Sequence, residues 1–249
     1  MRSSAPNGLT MSVSTTVAPP RHARFVRVTH WLTTIAVFAL LVSGLEIVLS
    51  HPRFYWGEIG NVNTTPLLTL PVPASRRTVP TGYSFVLSDQ NGWSRYLHVQ
   101  AAWLLILTGL VYVWAGVRSG HFHTNLIPSR ADRSWRALRA SVDEHLRLNA
   151  TAFGDPWSYN ALQRLTYLAI VFVFVPLVVW TGLAMAPAFT AVFPWVVNVV
   201  GGRQSARTLH FFVTIALVLF TIVHVAMIGL AGFRSRMRAM ITGRSEARS

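Results

Sequence analysis

The chain contains no cysteine. That absence excludes disulfides, thiolate-held iron–sulfur clusters and the C-x-x-C-H attachment of covalent haem. Lysine is missing too, so the 22 basic residues are all arginine, and they outnumber eight acidic residues to give a net charge of +14. Charged residues amount to 12% of the chain against 52% hydrophobic. That balance excludes disorder and is unlike a soluble domain. No H-E-x-x-H, phosphate-binding loop or nucleophile-elbow motif occurs. A basic chain raises nucleic acid as a partner. Here, however, the arginines stand at the ends of apolar runs rather than along one amphipathic face. They fit lipid headgroups and make no case for nucleic acid.

What is present is four apolar runs, about residues 25–49, 96–117, 165–186 and 209–232, each long enough to span a bilayer. They predict an all-α integral membrane protein, a four-helix up-and-down bundle occupying residues 21–240. Residues 1–20 are small, polar and proline-containing, without the apolar core of a secretory signal, and are expected to form a disordered tail. Residues 241–249 form a second tail. Pro176 is expected to bend the third span. Residues 51–94 make a long connection carrying Phe54-Tyr55-Trp56, which reads equally as an interfacial flap or a docking surface. Ser129–Asn149 patterns as an amphipathic helix lying on anionic headgroups, with Trp135, Leu138, Val142 and Leu146 on one side. Residues 189–202 are apolar but too short to cross.

Arginine placement gives an orientation. Only Arg53, Arg76, Arg77, Arg95, Arg203 and Arg207 border the connections after the first and third spans. The others lie in the tails and in residues 118–164, which places both termini and that connection in the cytoplasm. The location implied is the bacterial inner membrane, crossed several times, with residues 51–94 facing outward.

Against this apolar background, four histidines stand out. His210 and His224 lie fourteen residues apart on the last span. At about 100° and ~1.5 Å per residue, both leave one helix face roughly 21 Å apart, one in each leaflet. His30 opens the first span and His98 the second. Alternating the spans through the membrane puts His30 level with His224 and His98 level with His210. A pair of neutral imidazoles on facing helices is what a six-coordinate haem iron needs at its axial positions. Any one of these histidines alone reads more readily as a hydrogen-bonded core residue; the depth pairing makes them a candidate ligand set. His22, His51 and His145 read as surface residues. His121 and His123 lack companion ligands for a metal.

Two further patterns fit. Arg27, Arg95 and Arg207 each precede a candidate ligand by three residues, on the same helix face and nearer the surface. Each could pair with a haem propionate, or simply extend to the interface. The triplets Ser43-Gly44-Leu45, Thr108-Gly109-Leu110 and Thr181-Gly182-Leu183 put a glycine inside each of the first three spans. Gly44, fourteen residues beyond His30, would let a porphyrin edge approach the backbone; close helix packing is the rival explanation. Thr214 and Thr221 are candidates to support an imidazole Nδ1–H, or to bond their own helix.

Arg27-Val-Thr-His30-Trp31 opening the first span, His98 opening the second, and His210-x13-His224 on the last together resemble the prokaryotic cytochrome b561 superfamily. The likeness is greatest to the di-haem cytochrome b subunits of nickel–iron hydrogenases, formate dehydrogenases and thiosulfate reductases, over about residues 21–240. It implies two b haems, ligated by His30 with His224 and by His98 with His210. It also implies an extracytoplasmic catalytic partner of the hydrogenase or molybdoenzyme type, and exchange with the quinone pool near the cytoplasmic haem. The chain would then be an electron-transfer subunit of an oxidoreductase. The alternative is a stand-alone haem oxidoreductase that reacts a small oxidant such as superoxide at a haem edge and passes electrons to quinone. The long 51–94 connection departs from the compact form in formate dehydrogenase subunits.

Overall fold

A computed structural model describes residues 22–61, 63–72, 92–127, 161–230 and 232–243, together with helical positions Arg136, Arg139 and Asp143. The N-terminal tail and nearly all of the expected 129–149 helix lie outside the described residues. Four helices are long and apolar enough to cross a membrane: α1 (Arg24–Ser50), α2 (Trp93–Arg118), α3 (Leu162–Met185) and α6 (Arg203–Leu230). Between α3 and α6 lie two short helices, α4 (Pro187–Val192) and α5 (Trp195–Asn198). These occupy the segment expected to be too short to cross. A last helix, α7 (Phe233–Thr242), follows Gly232, whose φ of +96° breaks the run.

The helices pair by a rule opposite to that of a soluble core. On α1 the buried residues are Thr29, Ala36, Ser43 and Ser50, at intervals of seven. Ser94, Ala101 and Thr108 repeat that interval on α2. Small residues let backbones approach closely where lipid supplies no hydrophobic drive between helices, and a seven-residue interval keeps one seam turned to its neighbour. Ser43 and Ser50 donate their hydroxyls back to carbonyls four residues earlier, at 2.7 and 3.0 Å, so neither carries an unmet donor into the seam. Large apolar side chains such as Phe38, Trp114 and Ile222 point outward, as lipid-facing residues do.

α1 packs along α2, and α3 packs along α6. Among the described residues, close backbone approach is concentrated within these two pairs rather than between them. In α3 the helix loosens to π-helical geometry over Ile170–Phe174, just before Pro176. The proline's missing N–H is thus absorbed by a local change of register, and the span continues.

The first part of the long connection is an ordered flap. Strands β1 (Arg53–Phe54) and β2 (Leu68–Thr69) pair antiparallel, and Phe54 and Tyr55 are buried. Phe54 lies 4.3 Å from the Phe211 ring. Thr208 donates its hydroxyl to the Tyr55 carbonyl at 2.6 Å. The first turn of α6 is capped by the same flap: the Gly57 carbonyl accepts from the amides of Gln204 and Ser205, and Glu58 accepts from the Arg203 amide. The α6 helix therefore begins at Arg203, six residues before the apolar run that announced it. A side chain at Gly202 would meet the Gly57 backbone at 2.5 Å, so only glycine fits that crossing. Residues 73–91 of the connection lie outside the described residues.

Candidate cofactor sites between the helix pairs

The four histidines of the spans meet as two pairs, one toward each end of the bundle. His30 of α1 faces His224 of α6 with ring centroids 6.3 Å apart. His98 of α2 faces His210 of α6 at 6.2 Å. With a metal–imidazole bond of about 2.0 Å and a centroid roughly 1.1 Å behind its nitrogen, two imidazoles that held one metal from opposite sides would have centroids about 6 Å apart. Both pairs match that spacing. The separation suits an iron with an imidazole on either side.

At the end nearer the flap, hydrogen bonds also settle the tautomers. Ser43 donates its hydroxyl to the Ala39 carbonyl at 2.7 Å and meets His98 Nδ1 at 3.0 Å. Thr181 donates to the Leu177 carbonyl at 2.9 Å and meets His210 Nδ1 at 3.0 Å. With each hydroxyl proton committed to a carbonyl, each imidazole donates its Nδ1–H. The Nε2 lone pair is then left to ligate, and the ring is fixed in orientation. The glycine after each hydroxyl completes the seat. A Cβ on Gly44 would lie 3.4 Å from His98 Cε1, and one on Gly182 would lie 3.5 Å from His210 Cε1. Gly44 thus makes room for an imidazole of the neighbouring helix, a contact distinct from the porphyrin edge expected of it. Gly109, of the triplet on the second span, has no such neighbour within 4 Å.

The pair nearer the termini has an aromatic surround. Trp31 packs edge-on to His30 at 5.4 Å, Phe220 stacks on His224 at 5.6 Å, and Tyr167 meets His224 at 6.3 Å. His30 Nδ1 is buried and has no hydrogen-bond partner. Thr221 donates to the Leu217 carbonyl at 2.8 Å, the plain helical reading of that residue. At the same end of the bundle, an open groove of about 400 Å³ between α1 and α7 is lined by Arg24, Arg27, Val28, Trp31, Ile35 and Ile241, among others. Arg27 donates to the Ile241 carbonyl at 2.9 Å, while its Nε is buried without an acceptor.

Arg95 and Arg207 both converge on His51. The Arg95 guanidinium donates to His51 Nε2 at 3.5 Å. Arg207 donates to the His51 carbonyl and lies 5.0 Å over the Phe54 ring. His51 is therefore not the free surface residue its sequence suggested. Burial, then Arg207 and Arg95, hold its pKa below the ordinary histidine value, opposed by the Ile47 carbonyl and Glu46. On the other side of the bundle, His121 packs against Phe25 and Tyr112, and burial lowers its pKa as well. Among the described residues, no group of three or more His, Cys, Asp or Glu side chains could hold a metal ion.

Residues 21–243 match the family model for prokaryotic cytochrome b561. The chain belongs to the prokaryotic cytochrome b561 family. It is 32% identical over 214 residues to the putative protein-methionine-sulfoxide reductase subunit YedZ1 of Azospira oryzae, across 84% of this chain and 90% of that protein. No solved structure matches it. Membership makes the chain a membrane haem protein of the b type, for which non-covalent histidine ligation is the attachment a cysteine-free sequence permits. The sequence did not single out Ser43, Thr181, Gly182 and His51 for the parts they play here. The repeated hydroxyl–Gly–Leu triplets were the signal for the first three, and His51 left none.

Proposed function

We propose that this chain is the di-haem electron-transfer subunit of an inner-membrane reductase, with His30 and His224 ligating one haem and His98 and His210 the other. The observation that supports it most is the spacing of the two imidazole pairs, 6.3 and 6.2 Å, at opposite ends of a bundle with four candidate spans. A haem supplies a one-electron carrier. The chain's residues hold it in place and exclude water from it, and Ser43 and Thr181 lock two of the imidazoles in the ligating tautomer. Arg27, Arg95 and Arg207 set the charge near its propionates. Both termini are cytoplasmic in this reading, by arginine placement.

The groove between α1 and α7, at the same end of the bundle as His30, supports quinone exchange at the cytoplasmic end. It is apolar along Val28, Leu32 and Ile35, and Arg24, Arg27 and Trp31 belong to its lining. The relative's name, a subunit of a sulfoxide reductase, favours an outward-facing catalytic subunit that consumes electrons. Flow then runs from quinol to the outer partner, and a partner acting on oxidised methionine fits better than a hydrogenase.

Haem content and reduced-minus-oxidised spectra of the purified chain test the assignment. Two haems per chain are expected. Replacing His30 or His224 with Ala should remove one, and replacing His98 or His210 the other. Loss on any other pairing would overturn it.

A further inference from the structure

His51 joins the α1 exit, the flap and two arginines at one point. It caps the C-terminus of α1, and its amide bonds to the Ile47 and Val48 carbonyls. Pro52 and Phe54, directly after it, are almost fully buried, so its backbone is pinned on both sides. Its ring receives Arg95 and its carbonyl receives Arg207. Each of those arginines stands one helical turn, about 5 Å, before a member of the His98–His210 pair. The charged and titratable groups that act on His51 are Glu46 from α1, Arg95 from α2 and Arg207 from α6. Two guanidiniums against one carboxylate leave the cluster net positive, with each guanidinium's helix position one turn from that pair. A long, exposed arginine pays side-chain entropy to hold one pose; two of them held on a shared partner are already aligned.

We infer that His51 is a positioning residue for the outer haem: its ring and carbonyl hold Arg95 and Arg207 together as a clamp for the propionates. The inference rests on the proposed ligation by His98 and His210 and adds a residue on a different element. Two consequences follow. Losing the clamp removes positive charge near the iron and lowers the haem's midpoint potential. A proton on His51 adds a full positive charge to the cluster, which outweighs the displacement of the Arg95 guanidinium from its ring nitrogen. Because added positive charge favours the reduced state, and the His51 pKa lies below the ordinary histidine value, the potential of this haem should fall as pH rises toward about 6.5 and be flat above it.

The test is spectroelectrochemical titration of the full chain, purified with its haems, as wild type, His51→Ala and His51→Gln. The outer haem is the spectral component that disappears in His210→Ala. In His51→Ala both haems should remain, with the outer potential shifted down and the inner one unchanged. In His51→Gln the amide oxygen can still accept from Arg95. The potential at pH 8 should therefore be retained and its pH slope lost. Both haems bound with an unshifted outer potential in His51→Ala would overturn the inference alone. Should His51→Ala lose haem or fail to fold, a pH slope unchanged in His51→Gln overturns it as well. A wild-type chain with no haem lost in His210→Ala would instead sink the ligation on which the inference stands.

Discussion

At the scale of single residues, what sets His98 and His210 apart from His30 is a second hydrogen bond at Nδ1. Thr181 and Ser43 accept Nδ1–H while donating to their own helices. Removing such a support commonly costs 10- to 100-fold in metal affinity, on the order seen for other outer-shell partners. Thr181→Val should therefore weaken retention of the outer haem by roughly that factor, read as haem per chain during competition with an apo-globin. Thr221→Val, whose hydroxyl serves only its own helix, should leave it unchanged. Gly44 offers a steric counterpart. A Cβ there lies at ordinary contact distance from His98, so Gly44→Ala should be tolerated. The branched Gly44→Val should displace the ring and deplete one haem, measured by the same ratio. Gly109→Ala, with open space around it, is the control.

The elements were legible in the sequence to the extent that they are apolar. The four spans appear within a few residues of where the apolar runs put them, because spanning a bilayer imposes length and composition together. Where polar residues extend a helix, the pattern fell silent. α6 gains its first two turns, from Arg203, through capping by Gly57 and Glu58 of a segment about 145 residues away. The helix α7 is arginine-rich and was expected to be partly tail, yet its Met240 and Ile241 carbonyls receive Trp31 and Arg27. Both are tertiary contacts, invisible to any local period. The seven-residue spacing of Thr29, Ala36, Ser43 and Ser50 was readable and marks the α1–α2 seam. The depth pairing of the histidines was readable too, since it needs only helix rise and alternation.

Two predictions belong to elements. Gly202→Ala forces a side chain into the Gly57 backbone at 2.5 Å and into a positive φ. It should detach the flap from α6 at a cost of about 1–3 kcal/mol, seen as faster amide exchange over residues 52–58 and 203–206. The turn after α2 carries a pH dependence. Burial keeps His121 below its ordinary pKa, so the unfolded chain binds a proton there before the folded one. Its contribution is full above about pH 6.5 and declines as pH falls below that value. His121→Phe, which keeps an aromatic ring against Phe25 and Tyr112, should lose less melting temperature than wild type between pH 7.5 and 5.5.

At the scale of the whole molecule, the bundle is two helix pairs, α1–α2 and α3–α6, whose members approach each other more closely than the pairs do. Across that boundary the imidazoles of α1 and α2 look toward those of α6. A ligand that binds only the folded state raises stability in proportion to its binding free energy. Protein made under haem starvation should accordingly melt well below protein made with haem in excess, and adding haem to solubilised apoprotein should recover most of the difference. An unchanged melting point would show that the halves cohere by themselves.

This division has a bearing on biogenesis. Each hairpin can enter the membrane as it is translated, closed along its own seam, while the contacts between the flap and the first turns of α6 wait for both pairs to be present. On the proposed ligation, the late event is a docking step gated by porphyrin supply rather than by translation, and an unmated half is what a membrane protease would recognise. Cellular abundance of this subunit should follow the availability of iron and its tetrapyrrole, even with its transcript held constant.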